Sequence, residues 1–496
     1  MKKINRKYLF EDECSSKILD FAEQHEYFSD RKLEIRTYED STILPPLVRS
    51  WKENPISLGG CLDRNEKYIE YSAMRGSTFD YRENIVIDNY RMNESYECED
   101  IKYSDETVFY AGLLIYGWGH FLLECISRLW PIVKNSEEYK DIKIVFLPMY
   151  PIEKLDGAFL DILKLIGIKE EQIILLSSPT KFKSVIIPEP CTEAGIFYTQ
   201  EYKFLVNHII SKAMEKTVKI KTYKKIYLSR KSWTASSCRD IGEDKIEKFF
   251  NKNGFVSISP EKYSAVEQIH LLQKAEHIAS TIGSLSHNLL FAKDNVKITI
   301  INKICLYNYL QFVVDDMKNL DVTYVDAYRT LYPASLGIGP FLFDINNHMV
   351  NYAKDINMKM PDKLGPDRED FLKYINIIFD EYDSIPEKSF YMFNVLYKNN
   401  FSLGLNFYSK RELMFKKYFH KIMWKLSFGE QKIRYFEKYM KYKNKLNKVN
   451  TAVSNGMESS KHMLRDKDES LSLSICLETK MNLCLYNYYR YFCCAG

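Results

Sequence analysis

The chain has no long apolar run. None of its 496 residues falls in a stretch that stays hydrophobic for the roughly 18 to 20 positions a bilayer-spanning helix needs, so a soluble or membrane-surface protein is expected. The opening "MKKINRKYLFEDECSSKILDF" begins with positive charge but meets acidic residues where a signal peptide would carry its apolar core, so no secretory leader is expected. The 11 cysteines are odd in number and include no CxxC pair, which argues against a disulfide framework or a zinc site and for reduced thiols in a cytoplasm. An excess of one charge is missing too. The 70 Lys and Arg against 66 Asp and Glu leave a formal +4, too little for a nucleic-acid footprint, so any basic site must be local.

Several catalytic signatures are also absent. There is no GxSxG, HExxH, Walker A or GxGxxG, which removes the lipase, zinc protease, P-loop and dinucleotide-binding classes at the motif level. The one Asp-x-Asp, at 466–468, lies in a tail of disordered composition and not beside a strand end, where a magnesium-held diphosphate would need it. The histidines lack metal-ligand spacing. No metal and no cofactor are expected.

What is present is a globular composition, 46% hydrophobic and 27% charged, with enough residues for two or three domains. From "ETVFYAGLLIYG" onward, strand-like and helical stretches alternate: a helix at 119–134, strand "IKIVFL", helix "GAFLDILKLIG", strands "QIILL" and "SVIIPEP", and a helix near 200–216. After the Lys-rich "KTVKIKTYKK" the alternation restarts with "IYLSR", helix "EDKIEKFFNKNG" stopped at Gly254, "FVSI", helix "SAVEQIHLLQKA", "HIAST" and "KITIIN". The expected fold is α/β, with two doubly wound Rossmann-like domains facing a cleft and a helical C-terminal region. Its parts are an N-terminal mixed region (1–104) partly packed on the first lobe, a first α/β domain (105–220), a second (221–332), a helical aromatic and basic region (333–450), and a disordered tail (451–496). The run "MFKKYFHKIMWKLSFGEQKIRYFEKYMKYKNKLNK" reads either as an amphipathic helix packed on the body or as one lying on an anionic membrane.

Two stretches carry candidate chemistry. In "GWGHFLLECISRLWP" (117–131), His120, Glu124 and Arg128 recur every four residues. On a continuous helix they fall within roughly 80° of one another, opposite Leu122, Cys125, Ile126 and Leu129. Alone, that stripe is a solvated face with a Glu–Arg pair. At the carboxyl end of a strand, where open α/β sheets bind ligands, it faces a cleft. A histidine in the first helical turn is held neutral by the dipole and can accept a proton, and Glu124 can equally be the base with His120 or Arg128 orienting. Both assignments stay open.

The second stretch follows "IYLSR". "RKSWTASSCRDIGED" places Arg230, Lys231 and Arg239 near a strand end, where arginine forks match phosphate oxygens. "STIGSLSHNLLF" ends a strand in Gly283 and opens a helix with Ser284, Ser286, His287 and Asn288, a phosphate cradle without a P-loop lysine. Ser284 is equally an N-cap. Glu267 stands three residues after Ser264, so its first task is a capping box, with a ribose contact second.

"YGWGHFLLECISRLWP", "YLSRKSWTASSCRDIGED", "FVSISPEKYSAVEQIHLLQKAEHIAS" and "IGSLSHNLLF", in this order over about 105–302, resemble the glycosyltransferase family 61 domain of bacterial capsular polysaccharide proteins. Many members have Asp where this chain has Glu124. The resemblance implies a GT-B fold, an inverting mechanism and no essential metal. It implies an acceptor side at His120, Glu124 and Arg128 and a donor side at Arg230, Arg239, Gly283 and Asn288, with a nucleotide sugar as co-substrate. The expected activity is transfer of a sugar to a saccharide or lipid-linked saccharide in capsule or exopolysaccharide synthesis. It is placed in the cytoplasm or peripherally on the inner face of the plasma membrane. The alternatives are a nucleotide-sugar epimerase and a non-catalytic scaffold or nucleotide-sugar-binding subunit of an assembly complex.

Overall fold

The structure, a computed structural model, describes residues 4–10, 13–47, 59–73, 77–80, 85–88, 100–232, 239–304, 307–330 and 339–361, most of 364–377, and scattered positions from 417 to 440. The C-terminal aromatic and basic run and the tail expected after it lie almost wholly outside the described residues. Two compact units divide the chain, one taking in residues 1–329 and 334–370 and the other residues 330–333 and 371–490. The description below concerns the first. No helix among the described residues is long and apolar enough to cross a membrane.

The first sheet contains six strands: β1 (Ile35–Leu44), β2 (Gly60–Leu62), β3 (Lys102–Leu114), β4 (Lys143–Pro148), β5 (Ile173–Leu175) and β6 (Thr180–Pro188), in the order β2-β1-β6-β3-β4-β5. β6, β3, β4 and β5 run parallel, whereas β1 is antiparallel to β6 and β2. The N-terminal region therefore supplies two strands of this sheet. Ile35–Leu44 is exposed over its first half and apolar only at its end, so hydrophobic periodicity gave it little signal. β3 turns from exposed to fully buried at Val108, and a bulge between Tyr110 and Gly112, with Gly112 at φ +91°, re-aims its last residues. Those residues lead directly into Gly117-Trp118-Gly119-His120.

The second sheet is parallel throughout: β7 (Lys225–Leu228), β8 (Val256–Ile258), β9 (His277–Thr281), β10 (Lys297–Asn302) and β11 (Asp321–Asp326), in the order β8-β7-β9-β10-β11. Its middle strands are apolar without alternation because helices cover both faces. Ile226, Tyr227, Ile278, Ala279, Ile298 and Ile300 have no exposed surface. Taken in sequence the strands stand 2-1-3-4-5, a doubly wound order that reverses direction between β7 and β9. In the first sheet the reversal falls between β3 and β6. At both points the crevice beyond the carboxyl ends is where this architecture binds ligands.

Candidate functional site

A single helix over 119–134 is not what forms. Trp118–His120 is one α-turn, Phe121–Cys125 is a π-turn in which the amide of Ile126 reaches back five residues to Phe121 at 3.3 Å, and a second short helix runs over Trp130–Lys134. The wide turn changes the angular spacing, so the expected three-residue stripe divides. His120 and Glu124 stay together, with Nδ1 of the imidazole hydrogen-bonded to Oε2 of the carboxylate and both side chains 17% exposed. A carboxylate only accepts, so Nδ1 carries a hydrogen and donates it to Glu124. Arg128 instead turns into the core at 4% exposure. Its guanidinium donates to the carbonyls of Pro188, at the carboxyl end of β6, and Ala73, the latter at 2.8 Å, and lies over the Tyr110 ring. It ties chain segments together at the β3/β6 reversal and does not stand beside His120 and Glu124 as the stripe implied.

At the second reversal point, Arg230 follows β7 and Gly283 follows β9. A Cβ on Gly283 would lie 4.0 Å from Arg230 Nη1, and the residue has φ +125°, so the glycine lets the guanidinium stand against bare backbone. The residues after it do not form an α-helix. Ser286–Phe291 is a six-residue 3₁₀ turn, and the amide of Gly283 donates to Ser286 Oγ at 3.3 Å while Ser286 Oγ donates to Gly283 O at 2.8 Å. The α-helical start expected here is therefore replaced by a tighter turn that bonds the amides of Gly283, Ser286 and Asn288 within itself.

Arg239 donates from Nη2 to Gly339 O at 2.7 Å, and Lys231 is exposed, its amide bonded to Ser229 Oγ at 3.2 Å. Glu267 closes its helix: its carboxylate accepts from the Ser264 amide and hydroxyl, both at 2.9 Å, and its own amide donates to Ser264 Oγ. The capping role accounts for these bonds, and no described contact links Glu267 to the residues at the reversal points.

The two sheets meet through these same motifs. Trp118 Nε1 donates to Asn288 Oδ1 at 2.8 Å, and Asn288 Nδ2 donates to Leu285 O at 3.0 Å. Gly119 is buried against His287 and Ser284: a Cβ there would stand 2.4 Å from His287 Nδ1 and 3.2 Å from Ser284 Oγ. His287 is 2% exposed, and burial, with a smaller contribution from His120, lowers its pKa to about 3. Asn308 Nδ2 lies 3.2 Å from its Nε2 and must donate there, which leaves Nδ1 as the protonated nitrogen, without a partner among the described residues. A ring that stays neutral above pH 3 is a hydrogen-bond donor and not a base at neutral pH.

Sequence reasoning missed Trp118, Gly119 and Asn308 as members of this seam. Gly119 was the detectable one, because glycine within a helical turn costs about 1 kcal/mol against alanine and is kept where another group comes close.

Two parallel-rich sheets thus meet near the carboxyl ends of their strands, with an imidazole–carboxylate pair on one side and an arginine beside bare backbone on the other. Residues 118–299, from Trp118 at this seam to the middle of β10, match the sequence model of the Glycosyltransferase 61 family. Among curated proteins none matches the chain. The family match supports glycosyltransferase activity.

Proposed function

We propose that the protein is an inverting, metal-independent glycosyltransferase of GT-B type. It moves a sugar from a nucleoside-diphosphate donor to a saccharide hydroxyl, or to a lipid-linked saccharide, in capsule or exopolysaccharide synthesis. The capsular assignment rests on the order of the four sequence motifs, and a cytoplasmic or membrane-peripheral location follows from the carrier such an acceptor would use. One observation carries the reading: the "GWGH" turn that bears the His120–Glu124 pair packs directly on the turn that begins at Gly283, next to Arg230.

In this reading His120 is the base. Its Nδ1–H is held by Glu124, and Nε2 takes the proton of the acceptor hydroxyl as that oxygen attacks the anomeric carbon. The bond from that carbon to the diphosphate breaks, and the charge developing on the departing oxygens is met by Arg230, with Lys231 and Arg239 from the same loop. His287 gives a neutral N–H beside the dyad, while Ser284 and Asn288 shape the turn. Attack and departure on opposite faces of the ring invert the anomeric centre.

Incubating the full-length protein with a panel of nucleotide sugars and recording which nucleoside diphosphate is released, with and without saccharide acceptors, tests this. Transfer to an acceptor with one preferred donor is expected, and it is lost in Glu124→Gln and Arg230→Ala with folding intact. An interconverted nucleotide sugar would indicate the epimerase, and binding without turnover the scaffold.

A further inference from the structure

The loop after β7 starts at Arg230 and returns at the short strand Asp240–Ile241, which pairs in parallel with Phe341–Leu342. That pairing carries Asp240 under the carboxyl ends of β7 and β10. Asp240, Glu243 and Lys303 are 6%, 4% and 0% exposed there, and the Arg230 side chain stands at the rim with 20% exposure. Asp240 divides its carboxylate between two cations, Oδ1 lying 3.3 Å from Lys303 Nζ and Oδ2 3.8 Å from Arg230 Nη1. Glu243 Oε1 accepts from the Arg230 amide and from the Tyr227 hydroxyl, each at 3.2 Å. Lys303 Nζ also lies 4.1 Å from the centre of the Phe341 ring.

Stability alone does not account for such a cluster. Buried ion groups cost so much desolvation that well-packed apolar replacements are often neutral or better. What unites this one is that two of its acids act on a single partly exposed residue, Glu243 on the main chain of Arg230 and Asp240 on its guanidinium. At 3.8 Å the Asp240 contact is an ion pair and not a hydrogen bond, so it fixes the guanidinium without occupying its N–H groups. Lys303 offsets part of the Asp240 charge, which keeps Arg230 from being neutralised. An arginine held at both ends loses less conformational freedom when it grips an anion.

We infer that Asp240, balanced by Lys303, and Glu243 are positioning residues that aim Arg230 into the β7/β9 crevice at the diphosphate of the donor. This rests on the donor site proposed above.

Titration calorimetry of the full-length protein with UDP, GDP, CDP and dTDP tests it, using Asp240→Asn, Arg230→Ala and the double variant, with unfolding temperatures recorded for each. Asp240→Asn is expected to weaken the accepted nucleoside diphosphate roughly tenfold. On the Arg230→Ala background it should add nothing, because its effect passes through the guanidinium. Asp240→Glu, which keeps the charge balance and moves the carboxylate by one methylene, should fall between and show the same coupling, and it replaces the Asn variant if that one does not fold. Losses that multiply in the double variant, or unchanged affinity in a folded single variant, overturn the positioning role while leaving the donor reading intact. If the unmodified protein binds none of the four, the donor reading falls and this inference with it.

Discussion

Gly119 shows how little space separates the two turns of the seam. The position a methyl would take is 2.4 Å from a ring nitrogen of a histidine that is itself buried. Gly119→Ala is therefore expected to destabilise the protein by about 1–3 kcal/mol through overpacking and to displace His120 with it. Denaturant midpoints measure the first effect, and adding His287→Ala should recover most of the lost stability. A second residue-scale expectation concerns charge. Burial, with repulsion from Asp240, raises the Glu243 carboxyl from 4.5 to about 7. The folded state thus holds a proton that the unfolded chain releases, and the contribution of Glu243 to stability falls as pH rises from about 4.5 to 7 and is level above. His277 and His287, both lowered to about 3, act in the opposite direction between about 3 and 6.5, so the parent curve mixes the two. Glu243→Gln isolates the carboxyl. Its unfolding temperature relative to the parent should be higher at pH 8 than at pH 5, and a difference that is level with pH would contradict the assignment.

At the scale of elements, the π-turn Phe121–Cys125 decides which side chains reach the seam and which enter the core. Arg128 bonds two carbonyls from different segments, and Arg128→Lys keeps the charge but loses the fork that spans them. A loss of roughly 2–4 kcal/mol is expected, measured by denaturant unfolding. Glu124→Gln should leave stability nearly unchanged. The same element marks the limit of what the sequence revealed. Apolar runs such as "KITIIN" and "HIAST" identified β10 and β9 because fully buried parallel strands need no polar alternation. The i, i+4 spacing of 120, 124 and 128 suggested one face of one helix, since spacing records neither the π-turn nor the distant partners of Arg128 at Pro188 and Ala73. The capping role of Glu267 was legible, because a capping box is local. Asp240 and Lys303, 63 residues apart, were not, because only the pairing of strands brings them together.

At the scale of the whole compact unit, the candidate residues stand near the two points where strand order reverses, and Trp118–Asn288 and Gly119–His287 join the two. The central proposal is that His120, held by Glu124, takes the acceptor's proton and that Arg230 receives the diphosphate. The most direct test is a comparison of transfer turnover and nucleoside-diphosphate affinity in the parent and His120→Gln. If His120 is the base, turnover falls by about 100- to 10,000-fold while the affinity for the nucleoside diphosphate stays within a factor of two. Turnover within a factor of two of the parent in a folded His120→Gln protein would contradict it.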